Sequence, residues 1–219
     1  GVDAVRMNPP VASPELIKPA GPTDPEIAFL AVQSTEGRPI ALLANYSLHY
    51  VGGVMANTIS ADYFGCFATR IEELLGAEKQ DPPFVGILTN GTSGDINNSD
   101  VSQRRTARVP YQAMREVADQ VAGEVVRALK RVSYRDALTL DARAVELTLG
   151  TRRPTSEMIK HAHEVLAKPA GAPAWHPNER VYAERVLQVA EMPATVMIPL
   201  QAFRIGDLGI AAAPCELFA

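Results

Sequence analysis

Very little in this sequence is concentrated in one place. Cysteine occurs only as Cys66 and Cys215, and neither stands in a C-x-x-C or C-x-x-H spacing, which excludes a thiolate zinc finger or ribbon. The two are read as free thiols packed like small hydrophobes, with a disulfide left open if the fold brings them together. No apolar run reaches the roughly 18 residues of a membrane-spanning helix. Neither sign of charge dominates: 21 Lys and Arg stand against 25 Asp and Glu. Basic residues do not cluster beyond pairs such as Arg104-Arg105 and Arg152-Arg153, so there is no electrostatic footprint for nucleic acid. No internal repeat or low-complexity tract occurs. What remains, 47% hydrophobic and 21% charged over 219 residues, is the composition of a globular enzyme with enough chain to bury a substantial core.

Residues 1–25 are rich in proline (Pro9, Pro10, Pro14, Pro19, Pro22, Pro25), which excludes regular elements there. Glu26 to Gln33 reads as a strand, turned at Glu36-Gly37 into a second that runs toward His49. From Asp62 to Leu75, Phe64, Phe67, Ile71, Leu74 and Leu75 recur at helical spacing, with Gly76 as the stop. A strand at Phe84–Leu88 follows, so strand, helix and strand are expected to form a right-handed crossover. Pro110 suits the first turn of a helix reaching about Lys130, its stripe being Met114, Val117, Val121, Val125 and Leu129. Leu138 to Leu149 alternates but changes parity between Ala144 and Val145, which predicts a bulge in a long strand.

Pro154 to Glu157 opens a shorter helix with Thr or Ser as cap. His161 and His163 on it are two positions apart, on different faces, and are not expected to share a metal. Asn178 to Met192 reads as another helix, preceded by His176 as cap or substrate-side residue. Val196–Ile205 and Leu208–Ala213 form a hairpin about Gly206-Asp207. The expected fold is α/β: a mixed β-sheet core with flanking helices and a late β-hairpin, in one partial catalytic domain, residues 1–219, with 154–192 as a helical insertion.

Three apolar strands end in residues that carry chemistry. His49 closes Ile40–His49, the turn Asn90–Asn98 with Gly94 and Asp95 follows Phe84–Thr89, and Glu216 closes Leu208–Glu216. A histidine, a Gly-Asp turn and a glutamate at strand ends are the residue types of a metal-assisted hydrolase. Each has a plain alternative: a packed histidine, a turn that needs glycine, and an acid at a helix start.

The words around these residues resemble the catalytic domain of the neutral, non-lysosomal ceramidase family and its bacterial relatives. The matching stretches are Gly21–Pro25, Pro39–His49, Ile59–Gly65, Gly91–Asn97 and Ile205–Glu216. The resemblance implies a zinc amidohydrolase that cleaves an N-acyl amide, ceramide-like or a related lipid amide, with a metal-activated water. It implies His49 and Glu216 as two zinc ligands, the remaining ligands lying outside this chain. Gly94, Asp95 and Asn97 occupy the family's catalytic turn, in which Asn97 replaces a serine. An amide is no alkoxide nucleophile but can donate to an oxyanion, as can backbone amides around Gly94. Arg6 is either a solvated terminal arginine or, as the resemblance implies, a contact to the polar end of the substrate.

The partners implied are a small-molecule or lipid amide substrate, peripheral membrane contact through that substrate, and no nucleic acid. The resemblance also implies sphingolipid metabolism and an extracytoplasmic setting, secreted or periplasmic. The abrupt opening and the stop at Glu216–Ala219, where a helix is expected to begin, read as a fragment of a larger domain. The alternatives are another metal-dependent esterase or amidase on the same scaffold and a non-catalytic relative with a binding role.

Overall fold

The computed structural model describes residues 5, 8–104, 108–169 and 171–219. Its order is β1 (Ile27–Gln33), β2 (Pro39–Tyr46), α1 (Asp62–Leu74), β3 (Val85–Asn90), α2 (Gln112–Leu129), β4 (Leu140–Gly150), α3 (Ser156–Leu166), α4 (Glu179–Glu191), β5 (Thr195–Ile205) and β6 (Leu208–Ala212). The fold is α/β, with two three-stranded sheets and four helices among the described residues. The chain divides into two compact units, Gly1–Tyr134 with Glu216–Ala219, and Arg135–Cys215.

In the first unit the sheet order is β1-β2-β3. The first two strands pair antiparallel, Ile27 opposite Tyr46, with an irregularity at Val32 and Gln33. The second and third pair parallel, Ala41 opposite Val85 through Tyr46 opposite Asn90, because α1 carries the chain back between them. Period-two alternation sends Leu42, Ala44 and Leu88 to one face, where they meet Tyr63, Phe67 and Ile71 of α1 and Met114, Val121 and Val125 of α2. Phe67, Ile71, Met114, Val121 and Val125 belong to the expected stripes; Tyr63 does not, and Leu74, expected in the α1 stripe, is exposed, so hydrophobic periodicity located most of this core. Gly76 N–H bonds to Glu73 and Ala77 N–H to Glu72, the Schellman pattern that closes α1. Pro110 falls outside its expected helix. Tyr111 has φ +66, a left-handed residue that interrupts the chain, so α2 starts only at Gln112.

In the second unit, β4, β5 and β6 form an antiparallel meander, and α3 and α4 pack on each other through Ala162, Val165 and Ala183. Thr155 caps α3, its hydroxyl accepting the Met158 N–H at 3.3 Å. The expected bulge in β4 is not there: its pairing with β5 runs unbroken from Leu140 opposite Ile205 to Gly150 opposite Thr195. Every residue of β4 is exposed, so neither face selects the apolar side chains, and the change of parity merely places them on both faces. His176 precedes α4 without capping it: its Nδ1 accepts the N–H of Asn178, the N-cap residue, at 3.0 Å, and its ring lies beside Trp175 and Tyr182. His161 and His163 lie on α3.

Candidate functional site

The site is built in the first unit at the carboxyl ends of β2 and β3. Parallel strands end at the same edge, so the loops after Tyr46 and Asn90 emerge side by side. Because β1 runs the other way, its N-terminal approach reaches that edge too, and Asp24 accepts from Ser47 at 3.4 Å. Ser47 is fully buried; its oxygen also accepts the Thr92 N–H at 3.1 Å and lies 3.1 Å from the Thr92 hydroxyl. This polar pin ties the two loops together where neither strand continues.

His49 follows β2 by three residues and Gly94 follows β3 by four. Glu216 belongs to the same unit, and its Oε1 lies 3.3 Å from His49 Nε2. Two donors each about 2.0–2.1 Å from a tetrahedral zinc lie about 3.3 Å apart, so the pair fits two adjacent corners of such a site. On the far side of the ring, His49 Nδ1 is 3.4 Å from the Tyr50 carbonyl oxygen, and the Tyr50 ring centroid is 4.1 Å away. A proton on Nδ1 aimed at that carbonyl leaves the Nε2 lone pair toward Glu216, the arrangement that metal-binding histidines use. Zinc needs three or four protein ligands, and among the described residues no third His, Cys, Asp or Glu joins the pair.

The segment after Glu216 is stitched to the Gly94-Asp95 turn. Gly94 N–H donates to the Leu217 carbonyl at 2.7 Å, and Ala219 N–H donates to Asp95 at 3.2 Å. Asp95 therefore holds the backbone beside Glu216. The Gly94 amide, one of the expected oxyanion donors, is committed to Leu217 in this arrangement. Asn97 donates its side-chain amide to Asn8 and accepts the Asn98 N–H at 2.8 Å through its Oδ1. Ser93 is buried and accepts from Asn90 Nδ2 at 2.9 Å, bonded as a turn residue. Arg6 lies outside the described residues.

The start of α1 also reaches the site, which the sequence showed only as a helix beginning. Burial raises the Tyr63 phenol well above its ordinary range, so it stays a neutral donor, and its hydroxyl bonds to the Leu48 carbonyl at 2.5 Å. Asp62 accepts the Val51 and Gly52 N–H groups at 2.9 and 2.6 Å. An acid just ahead of an apolar helical stripe signals a helix N-terminus; no local pattern shows that it faces the loop after His49.

No family model matches the sequence, and no curated protein matches it. Among solved structures the chain is similar to a neutral ceramidase from Pseudomonas aeruginosa, with a TM-score of 0.56, 16% identity, and coverage of 88% of this chain and 35% of that one. It is also similar to a ceramidase complexed with C2, with a TM-score of 0.59, 16% identity, and coverage of 88% and 36%. The chain thus spans about a third of the length of these structures, and at this identity the likeness is one of fold.

Proposed function

We propose that these residues form part of the active site of a zinc-dependent hydrolase of the neutral ceramidase type, cleaving an N-acyl amide, ceramide-like or a related lipid amide. The observation that carries this reading is the separation of His49 Nε2 and Glu216 Oε1, 3.3 Å, beside the Gly94-Asp95 turn. The similarity of fold to ceramidases supports it. His49 and Glu216 would hold the ion, with the other ligands supplied by polypeptide beyond these residues. Zinc bound there would supply a water whose pKa is lowered toward about 7 and polarisation of the acyl carbonyl. The chain's own residues do the rest. The Tyr50 carbonyl fixes the His49 tautomer, and Asp95 keeps the backbone around Glu216 in place. The second hydrogen of the Asn97 amide serves as an oxyanion donor, and Arg6 takes the polar end of the substrate. A lipid amide would bring the protein to a membrane surface in an extracytoplasmic setting.

Asn97 favours one other reading, a non-catalytic relative with a binding role. An amide is not a nucleophile, and both ends of this one are hydrogen-bonded within the chain. A panel of N-acyl amides and matched esters, offered to the zinc-loaded full-length protein, separates the readings. The hydrolase reading expects amide cleavage that Glu216→Gln abolishes. Cleavage of esters alone would reassign the scaffold to another metal-dependent esterase, and turnover of neither class would leave the binding role.

A further inference from the structure

The loop that carries His49 is fixed on both sides of that residue, and two consecutive side chains at the start of α1 do most of it. The Tyr63 hydroxyl holds the Leu48 carbonyl, one residue before His49. The two carboxylate oxygens of Asp62 take Val51 N–H and Gly52 N–H, two and three residues after it. Asn98 Nδ2 adds bonds to the Tyr50 and Val51 carbonyls at 2.8 and 3.1 Å. The imidazole itself is left to Glu216 and the Tyr50 carbonyl.

Capping explains only part of what Asp62 does. Thr155, a helix cap, has an extended backbone and accepts an N–H from the first turn of α3. Ala61, at the equivalent position before α1, makes no side-chain cap bond, and Asp62 has φ +54, in the left-handed region that residues with a Cβ disfavour. Held there, its carboxylate accepts the adjacent Tyr63 N–H at 2.7 Å and turns its remaining capacity to the His49 loop. A strained backbone at a residue whose side chain grips a neighbouring loop is a mark of a functional constraint.

We propose that Asp62 is a positioning residue, holding the backbone around His49 so that Nε2 stays opposite Glu216; its consequence for zinc rests on the hydrolase reading above. The full-length protein, labelled with nitrogen-15 in its imidazoles, tests it, the His49 ring resonances being assigned by their loss in His49→Ala. Asp62→Asn keeps the volume but presents an NH2 group where one oxygen accepted. The expected result is displaced His49 ring resonances and zinc affinity reduced about tenfold, the scale of a lost outer partner of a ligand. The Ile71 and Val125 methyl resonances of the core should stay in place, which a merely structural role would not reconcile with a moved His49. Unchanged His49 resonances with unchanged zinc affinity would overturn the positioning role while sparing the hydrolase reading. A displaced His49 in a protein that takes no zinc in either form would support positioning and sink the hydrolase reading. If Asp62→Asn loses the core methyl signals, Tyr63→Phe, which removes one oxygen from the same clamp, decides by the same two readouts.

Discussion

A Cβ at position 94 would lie 2.5 Å from the Phe218 ring and 2.9 Å from the Leu217 carbonyl oxygen. Both neighbours belong to the segment that carries Glu216, so glycine at this turn is a matter of close approach. Gly94→Ala should push that segment away, costing about 1–3 kcal/mol of stability as overpacking does. It should also weaken zinc binding, although no ligand is changed; calorimetric zinc titration equal to wild type would show the contact to be incidental. The two cysteines give a second test. Cys66 is half-buried and burial raises its thiol pKa, whereas Cys215 is exposed. The thiolate is the reactive form, so at pH 8 alkylation should label Cys215 first, and Cys66 should quicken only as pH climbs past the ordinary thiol value of about 8.5. Mass spectrometry of time points reads this directly, and equal rates would contradict it. At this scale the sequence exposes residue types that follow strands, although His49 and Glu216, expected to close them, lie three and four residues beyond β2 and β6. It does not expose what those residues touch, because the Leu217 and Phe218 contacts with Gly94 join positions far apart in the chain, and Asp62 reaches Val51 and Gly52 across a loop that no periodicity describes.

Elements were legible where periodicity meets burial. Helix α1 shows the clearest case, with Phe67 and Ile71 fully buried against β2, β3 and α2. Phe67→Ala should lower stability by about 3–5 kcal/mol, measurable as a shift of the denaturant midpoint, and a loss under 1 kcal/mol would mean that the core is not packed as described. In α3 the terms are local: Thr155→Ala removes the cap and should cost about 1 kcal/mol, read as reduced amide protection confined to the first turn. Where burial is absent, the pattern misled. The parity change in β4 predicts a bulge only if one face must be apolar, and both faces of β4 are exposed. Pro110 misled for a different reason, since the left-handed Tyr111 after it delays α2 and no residue pattern announces that turn.

For the whole molecule, the two units differ in how much apolar surface each removes from water. The first encloses one core shared by three strands and two helices. Among the described residues, the second buries only the apolar Ala162, Val165 and Ala183 between its helices, and its sheet shows Val145, Leu147, Leu149, Met197 and Phe203 to solvent. Local stability follows buried apolar contact, so in hydrogen exchange of this chain the amides of β2, α1 and α2 should outlast those of β4 and β5. The reverse order would show that the second unit's sheet is covered in solution. The α/β class and the hairpins were readable from the sequence, since they are local. The return of Glu216 to the first unit, across the whole of Arg135–Cys215, is a long-range closure that no window of sequence contains. That closure brings together the two residues on which the functional account stands. The most direct test is metal content of the full-length protein by mass spectrometry, beside His49→Ala and Glu216→Gln. Near-stoichiometric zinc that falls away in both variants is the expected result. Zinc retained in both variants, or absent from all three proteins, would contradict a zinc centre built on His49 and Glu216.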